Sequence, residues 1–305
     1  MTEPISISFC INDAYAQHLA VVIASILIHN PEPEFVFHVL HRDIRPETEA
    51  NVKRLEKMYS NHRIVFHKVD ESVLDGVSVP KTMAHLTLEA YFRYLLPDVL
   101  KDDRRTIYMD VDVLCVGDLR PLWEFDLAGM PLAAVPDGER GYARKRANLG
   151  LEDGTYFCSG LLVMDLDALR ADGCVRRLLD TSKRLADKIV YADQDVINAA
   201  FNGRIVTLPA IWNCTDAYNP FRRDVRQWHF QCQTRKPWCN IWKNATWPVY
   251  LKYLLKTPYR KNALRFVWGH IKGFFYFCYT KNFVTRHLVC GIRVWRSDAR
   301  SRRAA

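Results

Sequence analysis

Arg105-Thr-Ile-Tyr-Met-Asp110-Val-Asp112-Val-Leu-Cys-Val-Gly-Asp118-Leu-Arg-Pro-Leu-Trp123 is the stretch on which the fold turns. An apolar, β-prone run through Ile107-Tyr108 ends in two carboxylates two residues apart, and strand alternation predicts that Asp110 and Asp112 share a face. Like charges held that close repel each other unless a cation neutralises them. Oxygen ligands favour a hard divalent ion, Mg²⁺ or Mn²⁺, which keeps coordination positions open for substrate phosphates. Gly117-Asp118 and Pro121 then open a short helical turn. Ligands of open α/β sheets bind at the carboxyl ends of strands, so the pattern points to nucleotide chemistry.

Upstream, Ile5–Ile11, Phe35–Leu40 and Arg63–Val69 read as strands, separated by an apolar helix near His18–His29 and a charged amphipathic helix after Pro46. That alternation predicts βαβ units and a largely parallel sheet. A Pro- and Gly-containing loop (Asp75–Pro80) and a helix over Leu86–Leu95 lead into the acidic stretch. Downstream, Leu132–Val135, a strand over Tyr156–Met164, helices over Leu166–Asp180 and Asp193–Phe201, and Arg204–Leu208 complete the domain. The Arg- and Lys-rich segment Asp137–Asp153 reads as a solvated loop.

With 305 residues, 49% apolar and 25% charged, the chain has the composition of a soluble globular protein with a sizeable core. Its charge is uneven. Residues 239–305 hold 14 of the 43 Lys and Arg but only one of the 34 acids, Asp298, so this tail carries +13 and the first 238 residues carry −4. The division predicts an α/β domain over 1–238 and a basic, aromatic extension over 239–305. Nine cysteines without a Cys-x-x-Cys pair argue against a disulfide framework or zinc ribbon and fit reduced thiols in the cytoplasm. The start lacks a basic n-region and an apolar h-region, so no signal peptide is expected. The apolar run Phe274–Tyr279 is too short to cross a membrane.

A neutral imidazole can complete a metal site begun by two carboxylates, and His229 in Trp228-His-Phe-Gln-Cys-Gln-Thr-Arg-Lys236-Pro-Trp is the candidate. Lys236 supplies a point charge suited to a diphosphate. At this point an ordered set of segments resembles glycosyltransferase family 8, the retaining nucleotide-sugar transferases that include bacterial lipopolysaccharide core galactosyl- and glucosyltransferases. The set comprises Phe9-Cys-Ile-Asn-Asp-Ala-Tyr15, Phe37-His-Val-Leu40, Tyr91-Phe-Arg93, Tyr108-Met-Asp-Val-Asp-Val-Leu114, Pro121-Leu-Trp123, Phe157-Cys-Ser-Gly160, Asp193-Gln-Asp195 and His229…Lys236-Pro-Trp238. The resemblance implies a GT-A-like α/β fold, a mixed, mainly parallel sheet flanked by helices. It implies that Asp110, Asp112 and His229 bind Mn²⁺ (or Mg²⁺), and that Cys10, Asn12, Asp13 and Tyr15 hold the uridine of a UDP-hexose. Arg93, Asp137 and Asp193 would contact the donor sugar, Gln194 would lie beside its anomeric carbon, and Lys236 would grip phosphate. The chain departs from the family pattern at Ala14, Cys158 and Cys232, and its His229–Lys236 spacing is one residue longer.

The extension mixes 14 aromatics with its 14 cations, and its start is similar to the C-terminal extension of the lipopolysaccharide core enzymes. Basic helices with aromatic faces lie in the headgroup plane of anionic membranes. Nucleic acid is the rival polyanion, but no nucleic-acid motif is recognisable and the main domain is slightly acidic. The expectation is a hexosyltransferase moving galactose or glucose from a UDP-sugar to a glycan or lipid-linked oligosaccharide, peripheral on the inner face of the cytoplasmic membrane. Two other classes share some of these features. One is a haloacid-dehalogenase-like phosphohydrolase, whose Asp-x-Asp strand usually opens the fold; the other is a non-catalytic UDP-sugar-binding membrane protein.

Overall fold

The computed structural model describes residues 3–77, 80, 87–138, 142–151, 154–215, 224–231, 236–238 and 246–280. Its strands are β1 (Ile5–Cys10), β2 (Phe35–His41), β3 (His62–Lys68), β4 (Arg105–Met109), β5 (Val113–Cys115), β6 (Leu132–Pro136), β7 (Phe157–Asp165), β8 (Ile205–Thr207) and β9 (Gln227–His229). Seven of them form one sheet in the order β3-β2-β1-β4-β7-β6-β8, while β5 and β9 make a separate antiparallel ribbon. Strands β1 to β4 run parallel. Strand β7 enters antiparallel to both β4 and β6, and β6 and β8 are again parallel. The sheet is therefore mixed and mainly parallel, as the alternating pattern predicts.

The helices are α1 (Ala16–His29), α2 (Pro46–Lys53), α3 (Leu96–Val99), α4 (Arg120–Trp123), α5 (Tyr142–Leu149), α6 (Leu166–Ala171), α7 (Cys174–Arg184), α8 (Ala192–Ala200), α9 (Trp247–Leu254) and α10 (Asn262–Thr280). The helix expected near Leu86–Leu95 is present over Leu88–Leu95, wound as a 3₁₀ helix. The ring of Pro97 would clash with the Arg93 carbonyl if one α-helix ran through, so Pro97 instead occupies the first turn of a new helix, α3. Two other segments differ from expectation. The helix expected over Leu166–Asp180 breaks at Gly173, which sits in the left-handed region (φ 61°) between α6 and α7. The segment read as a solvated loop contains α5.

Both faces of the sheet are covered, as a largely parallel sheet requires. Alternation assigns the layers: Ile7, Phe9, Ile107, Met109, Leu161 and Val163 join one core, while Tyr108, Leu162 and Met164 join the opposite one. Helix α1 is apolar around most of its circumference because it is covered from two sides. Ile23 and Ile26 pack on the sheet, and Val21 packs with Leu114 and Trp228 of the ribbon and with Tyr250, Tyr253 and Leu254 of α9. Part of the basic extension thus shares a core with the parallel half of the fold. Among the described residues no helix is long and apolar enough to cross a membrane, and Cys10, Cys115, Cys158, Cys174 and Cys214 are free thiols.

The carboxyl end of α1 is tied to the chain that follows β5. Buried Asn30 donates through Nδ2 to the carbonyls of Ile26 (2.8 Å) and Gly117 (3.2 Å) and accepts the Leu119 amide at 2.7 Å. Ser25 Oγ accepts the Cys115 amide at 3.1 Å. Asn30→Ala strands the buried Leu119 amide and the Ile26 carbonyl, an orphan of the helix end, and leaves the Gly117 carbonyl only the weak Cys115 thiol donor at 3.2 Å. The expected cost is about 2–4 kcal/mol, read as a lower urea midpoint at unchanged m-value; a change within error would show that water replaces the amide.

Candidate active site

The acidic pair is assembled by a bend, not by one strand. Strand β4 ends at Met109 and β5 begins at Val113, so the same-face alternation argument does not describe how the carboxylates meet. The chain turns at Asp110-Val-Asp112 because β4 belongs to the main sheet while β5 leaves it to pair with β9. Two backbone bonds fix the bend: the Asp110 amide donates to the Gly160 carbonyl (2.9 Å), and the Phe230 amide donates to the Asp112 carbonyl (2.8 Å). The β5–β9 register sets Val113 opposite His229, which delivers the imidazole beside the residue preceding Val113.

Asp110, Asp112 and His229 each offer one ligand atom within 4.8 Å of the others. His229 Nε2 lies 3.2 Å from Asp112 Oδ1 and 3.8 Å from Asp110 Oδ2. Its Nδ1 is 2.7 Å from Asn213 Oδ1, which accepts that N–H and aims Nε2 at the carboxylates. Burial disfavours the imidazolium, but Asp112 outweighs it and holds the His229 pKa well above its ordinary value. Burial likewise works against charge on Asp112, yet His229 and Lys236 together keep its carboxyl well below the usual range. The Lys236 ammonium pairs with Asp112 Oδ2 at 2.8 Å. Two carboxylates and one imidazole make a donor set that suits Mn²⁺ or Mg²⁺. Gly160 gives the set its room: a Cβ there would fall 2.3 Å from His229 Cε1 and 2.7 Å from Asp110 Oδ2.

On the other side of Asp110, Arg93 is buried and bridges two acids, with Nη2 3.0 Å from Asp110 Oδ1 and Nη1 3.0 Å from Asp193 Oδ2. It also donates to the carbonyls of Ser159 (2.7 Å) and Ala90 (2.7 Å) and stacks on Tyr108 at 4.3 Å. The Tyr108 hydroxyl donates to Asp110 Oδ1 at 2.7 Å. Asp193 accepts the Ser159 hydroxyl at 2.8 Å; burial pushes its carboxyl above the ordinary value in spite of Arg93. Next to it, Gln194 accepts the Ser159 amide (3.2 Å) and donates to Asp137 Oδ2 (3.0 Å) and the Tyr156 hydroxyl (3.3 Å).

These side chains converge on one cleft of about 370 Å³, which Cys10, Asn12, Tyr15, Arg93, Asp110, Asp112, Asp137, Asp193, Gln194, His229 and Lys236 all line. Of the residues expected from the sequence, Asp13 alone is absent from its walls. Arg45 holds the Asp13 carboxylate at 2.6 Å, and that pair pulls it toward the start of α2; Asn12 is the polar side chain that remains at the end of β1. Sequence reasoning missed Lys145, which pairs with Asp137 and lies 4.2 Å from the Tyr191 ring; its only signal was the basic segment read as solvated. It also assigned no role to Ser159 and Gln231, which lie inside the segments Phe157-Cys-Ser-Gly160 and Trp228-His-Phe-Gln, and it missed Asn213, which carried no signal. Cys232, where the chain departs from the family pattern, lies outside the described residues. At Cys158 the thiol accepts from Gln231 Nε2 at 3.0 Å.

The family model described as "Glycosyl transferase family 8" matches residues 6–242. General stress protein A of Bacillus subtilis is 29% identical over 280 residues, 84% of this chain and 95% of that protein. The lipopolysaccharide 1,3-galactosyltransferase of Salmonella typhimurium is 28% identical over 204 residues, 64% of this chain and 59% of that enzyme. Among solved structures, galactosyltransferase LgtC in complex with donor and acceptor sugar analogues superposes with a TM-score of 0.72 at 25% identity, covering 83% of this chain and 96% of LgtC.

The space at Gly160 gives a direct test of the metal-type cluster. Gly160→Ala should displace His229 from the carboxylates and lower stability by about 1–3 kcal/mol through overpacking. Mn²⁺ should raise the melting temperature of the unmodified protein and leave that of the variant nearly unmoved. Equal Mn²⁺ stabilisation of both would remove His229 from the cation site.

Proposed function

Because the chain belongs to glycosyltransferase family 8, we propose that this glycosyltransferase moves a hexose, galactose or glucose, from a UDP-sugar to a glycan, with retention of configuration at the anomeric carbon. The observation that carries the proposal is the convergence of Asp110, Asp112 and His229 in the cleft that Tyr15, Lys236 and Gln194 also line. The acceptor is proposed to be lipopolysaccharide core or another lipid-linked oligosaccharide, on the strength of the named galactosyltransferase relative. A dehalogenase-like phosphohydrolase is set aside by the family match and by the strand order, which puts three parallel strands before the acidic bend.

In this reading the end of β1, with Cys10, Asn12 and Tyr15, receives the uridine, while Arg93, Asp137, Asp193 and Gln194 form the sugar side. Asp110, Asp112 and His229 would hold the divalent ion, which when bound offsets negative charge on the leaving diphosphate as a Lewis acid. Lys236 would face the same charge; it is paired with Asp112 here and would exchange that partner for phosphate oxygen when Asp112 holds the ion. Asp193 is committed to Arg93 and Ser159, and the Gln194 amide is bonded at both ends. Neither is a free nucleophile. Those bonds favour same-face displacement over a covalent glycosyl-enzyme: the acceptor oxygen would bond to the anomeric carbon as the bond to the diphosphate oxygen breaks, and the hydroxyl proton would pass to that departing oxygen.

The test is UDP release from UDP-galactose and UDP-glucose with Mn²⁺, with and without lipid-linked acceptors. One donor should turn over, and chelation should stop it. Asp112→Asn keeps a hydrogen-bonding oxygen for buried Lys236 and His229 and should cut turnover about a hundredfold or more while the circular dichroism spectrum is retained. No UDP release from either sugar would count against the hexose assignment, and full activity in Asp112→Asn against the cation assignment.

The proposal extends to residues 239–305 as a peripheral attachment to an anionic membrane, on the cytoplasmic side where UDP-sugars are used. Leu255, Leu264 and Trp268 are exposed at 52%, 82% and 58%, and Leu264 and Trp268 stand four residues apart on α10. Lys252, Lys256, Arg260, Lys261, Arg265 and Lys272 surround them in sequence. Each such cation near an anionic surface is worth about 1 kcal/mol at most, and the aromatics add burial that salt does not screen. Since Tyr250, Tyr253, Leu254 and Ala263 belong to a buried core, the informative truncation ends near residue 267 and not at 239. The intact protein should bind anionic vesicles, less at high salt, and the truncated protein should bind weakly while keeping its melting temperature; equal binding to neutral and anionic vesicles would sink the electrostatic part.

A further inference from the structure

A chain of hydrogen bonds and stacked rings runs from the start of α10 to the nucleotide side of the cleft. Asn262 Nδ2 donates to Gln17 Oε1 at 2.7 Å, and Gln17 Nε2 donates to the Tyr250 hydroxyl at 3.3 Å. The same hydroxyl lies 2.7 Å from His18 Nδ1, within hydrogen-bond distance. The His18 ring stacks on Trp238 at 3.9 Å between centroids and meets Tyr15 edge-on at 5.6 Å. Tyr250 itself touches Trp238 at 5.1 Å and Phe266 of α10 at 5.7 Å. Trp238 is two residues from Lys236, whose ammonium lies 5.6 Å from the indole and 2.8 Å from Asp112.

We propose that Tyr250, on helix α9, is a positioning residue for the nucleotide: its hydroxyl fixes His18, and His18 supports both Tyr15 on the base side and the Trp238 segment that carries Lys236 on the diphosphate side. The inference rests on the proposed UDP-sugar reading of the cleft. Tyr250 is not among the residues that line the cleft, so its influence on the cleft passes through His18 and Trp238. Its burial is nearly complete at 1% exposure, and a phenylalanine in its place would keep the ring contacts with Trp238 and Phe266. Only the hydroxyl would go. His18 suits this role because it stays neutral: burial first, and Lys236 second, push its pKa down to about 3. A neutral ring can lie against Trp238 and keep an acceptor nitrogen for Tyr250 at any working pH. The geometry also gives the first turns of the basic extension a task inside the catalytic unit, since α9 and Asn262 supply one end of the chain that braces the diphosphate lysine.

The test compares the full-length protein with Tyr250→Phe, measuring the Kd for UDP with Mn²⁺ by calorimetry, kcat and donor KM for transfer or donor hydrolysis, and the melting temperature. Losing one buried neutral hydrogen bond should raise the UDP Kd and the donor KM together by about fivefold, with kcat changed less than twofold. Asn262→Ala, at the far end of the chain, should move KM in the same direction by a smaller factor without touching the ring stack, and it serves where Tyr250→Phe is too unstable to assay. A lower melting temperature with unchanged UDP Kd and KM in both variants would overturn the inference and leave Tyr250 a packing residue. Failure of the unmodified protein to bind UDP would instead overturn the reading of the cleft, so the two failures are separable.

Discussion

Buried carboxylates stay ionised only where cations surround them, and the cleft is organised by that requirement. Asp112 is held by Lys236 and approached by His229; Asp110 takes Arg93 and the Tyr108 hydroxyl; Asp193 shares Arg93; Asp137 takes Lys145. Four acids therefore face Arg93, Lys145, Lys236 and an imidazole that Asp112 draws toward its charged form. A cation held by Asp110, Asp112 and His229 would take the place of that imidazole proton, so proton and metal would compete for the same charge position. Arg93 deserves separate notice as the shared partner of Asp110 and Asp193. Removing either acid unbalances the other through the same guanidinium, so single substitutions here do not report independent roles.

The topology explains why the charges meet at this place. The parallel half delivers the ends of β1 and β4 to one edge of the sheet, where ligands of α/β folds bind. Antiparallel β7 then runs through the same edge in the opposite sense, so its beginning, Phe157 to Gly160, lies beside the end of β4 and supplies the Ser159 and Gly160 backbone that anchors Arg93 and Asp110. The β5–β9 ribbon adds His229 from much later in the chain. Three structural units with different connectivities share the site, and Gly160 is the point where their atoms come nearest.

Much of this was legible in the sequence, for identifiable reasons. Apolar runs of strand length pointed to the parallel half, and Asp-Val-Asp, His229 and Lys236 were readable from their own chemistry, whereas Arg93, Asp137, Asp193 and Gln194 were reached only through the resemblance to glycosyltransferase family 8. What local pattern does not encode is geometry created by distant pairing. Strand alternation gave the right pair, Asp110 and Asp112, through the wrong cause, because nothing near residue 112 announces that β5 will leave the sheet for β9. Asp13 read as a nucleotide contact, but its fate is decided by Arg45, 32 residues on. Lys145 was hidden by composition: a basic segment on an exposed loop and one folded as α5 against Asp137 and Tyr191 have the same residue content.

The charge boundary at residue 239 and the packing boundary are different quantities. Charge changes sign there because cations are spread through the whole extension, yet Tyr250, Tyr253 and Leu254 on α9 fill the side of α1 that the sheet does not cover. An α1 apolar on both sides could not remain exposed to water along Val21 and its neighbours without a large apolar penalty, so α9 is needed to finish the fold that begins with β1. Apolar residues of the extension turn outward at Leu255, just after α9, and then at Leu264 and Trp268 on α10. Residues that complete the fold and residues that face outward therefore interleave from the end of α9 into α10, where Asn262 is bonded through Gln17 to Tyr250.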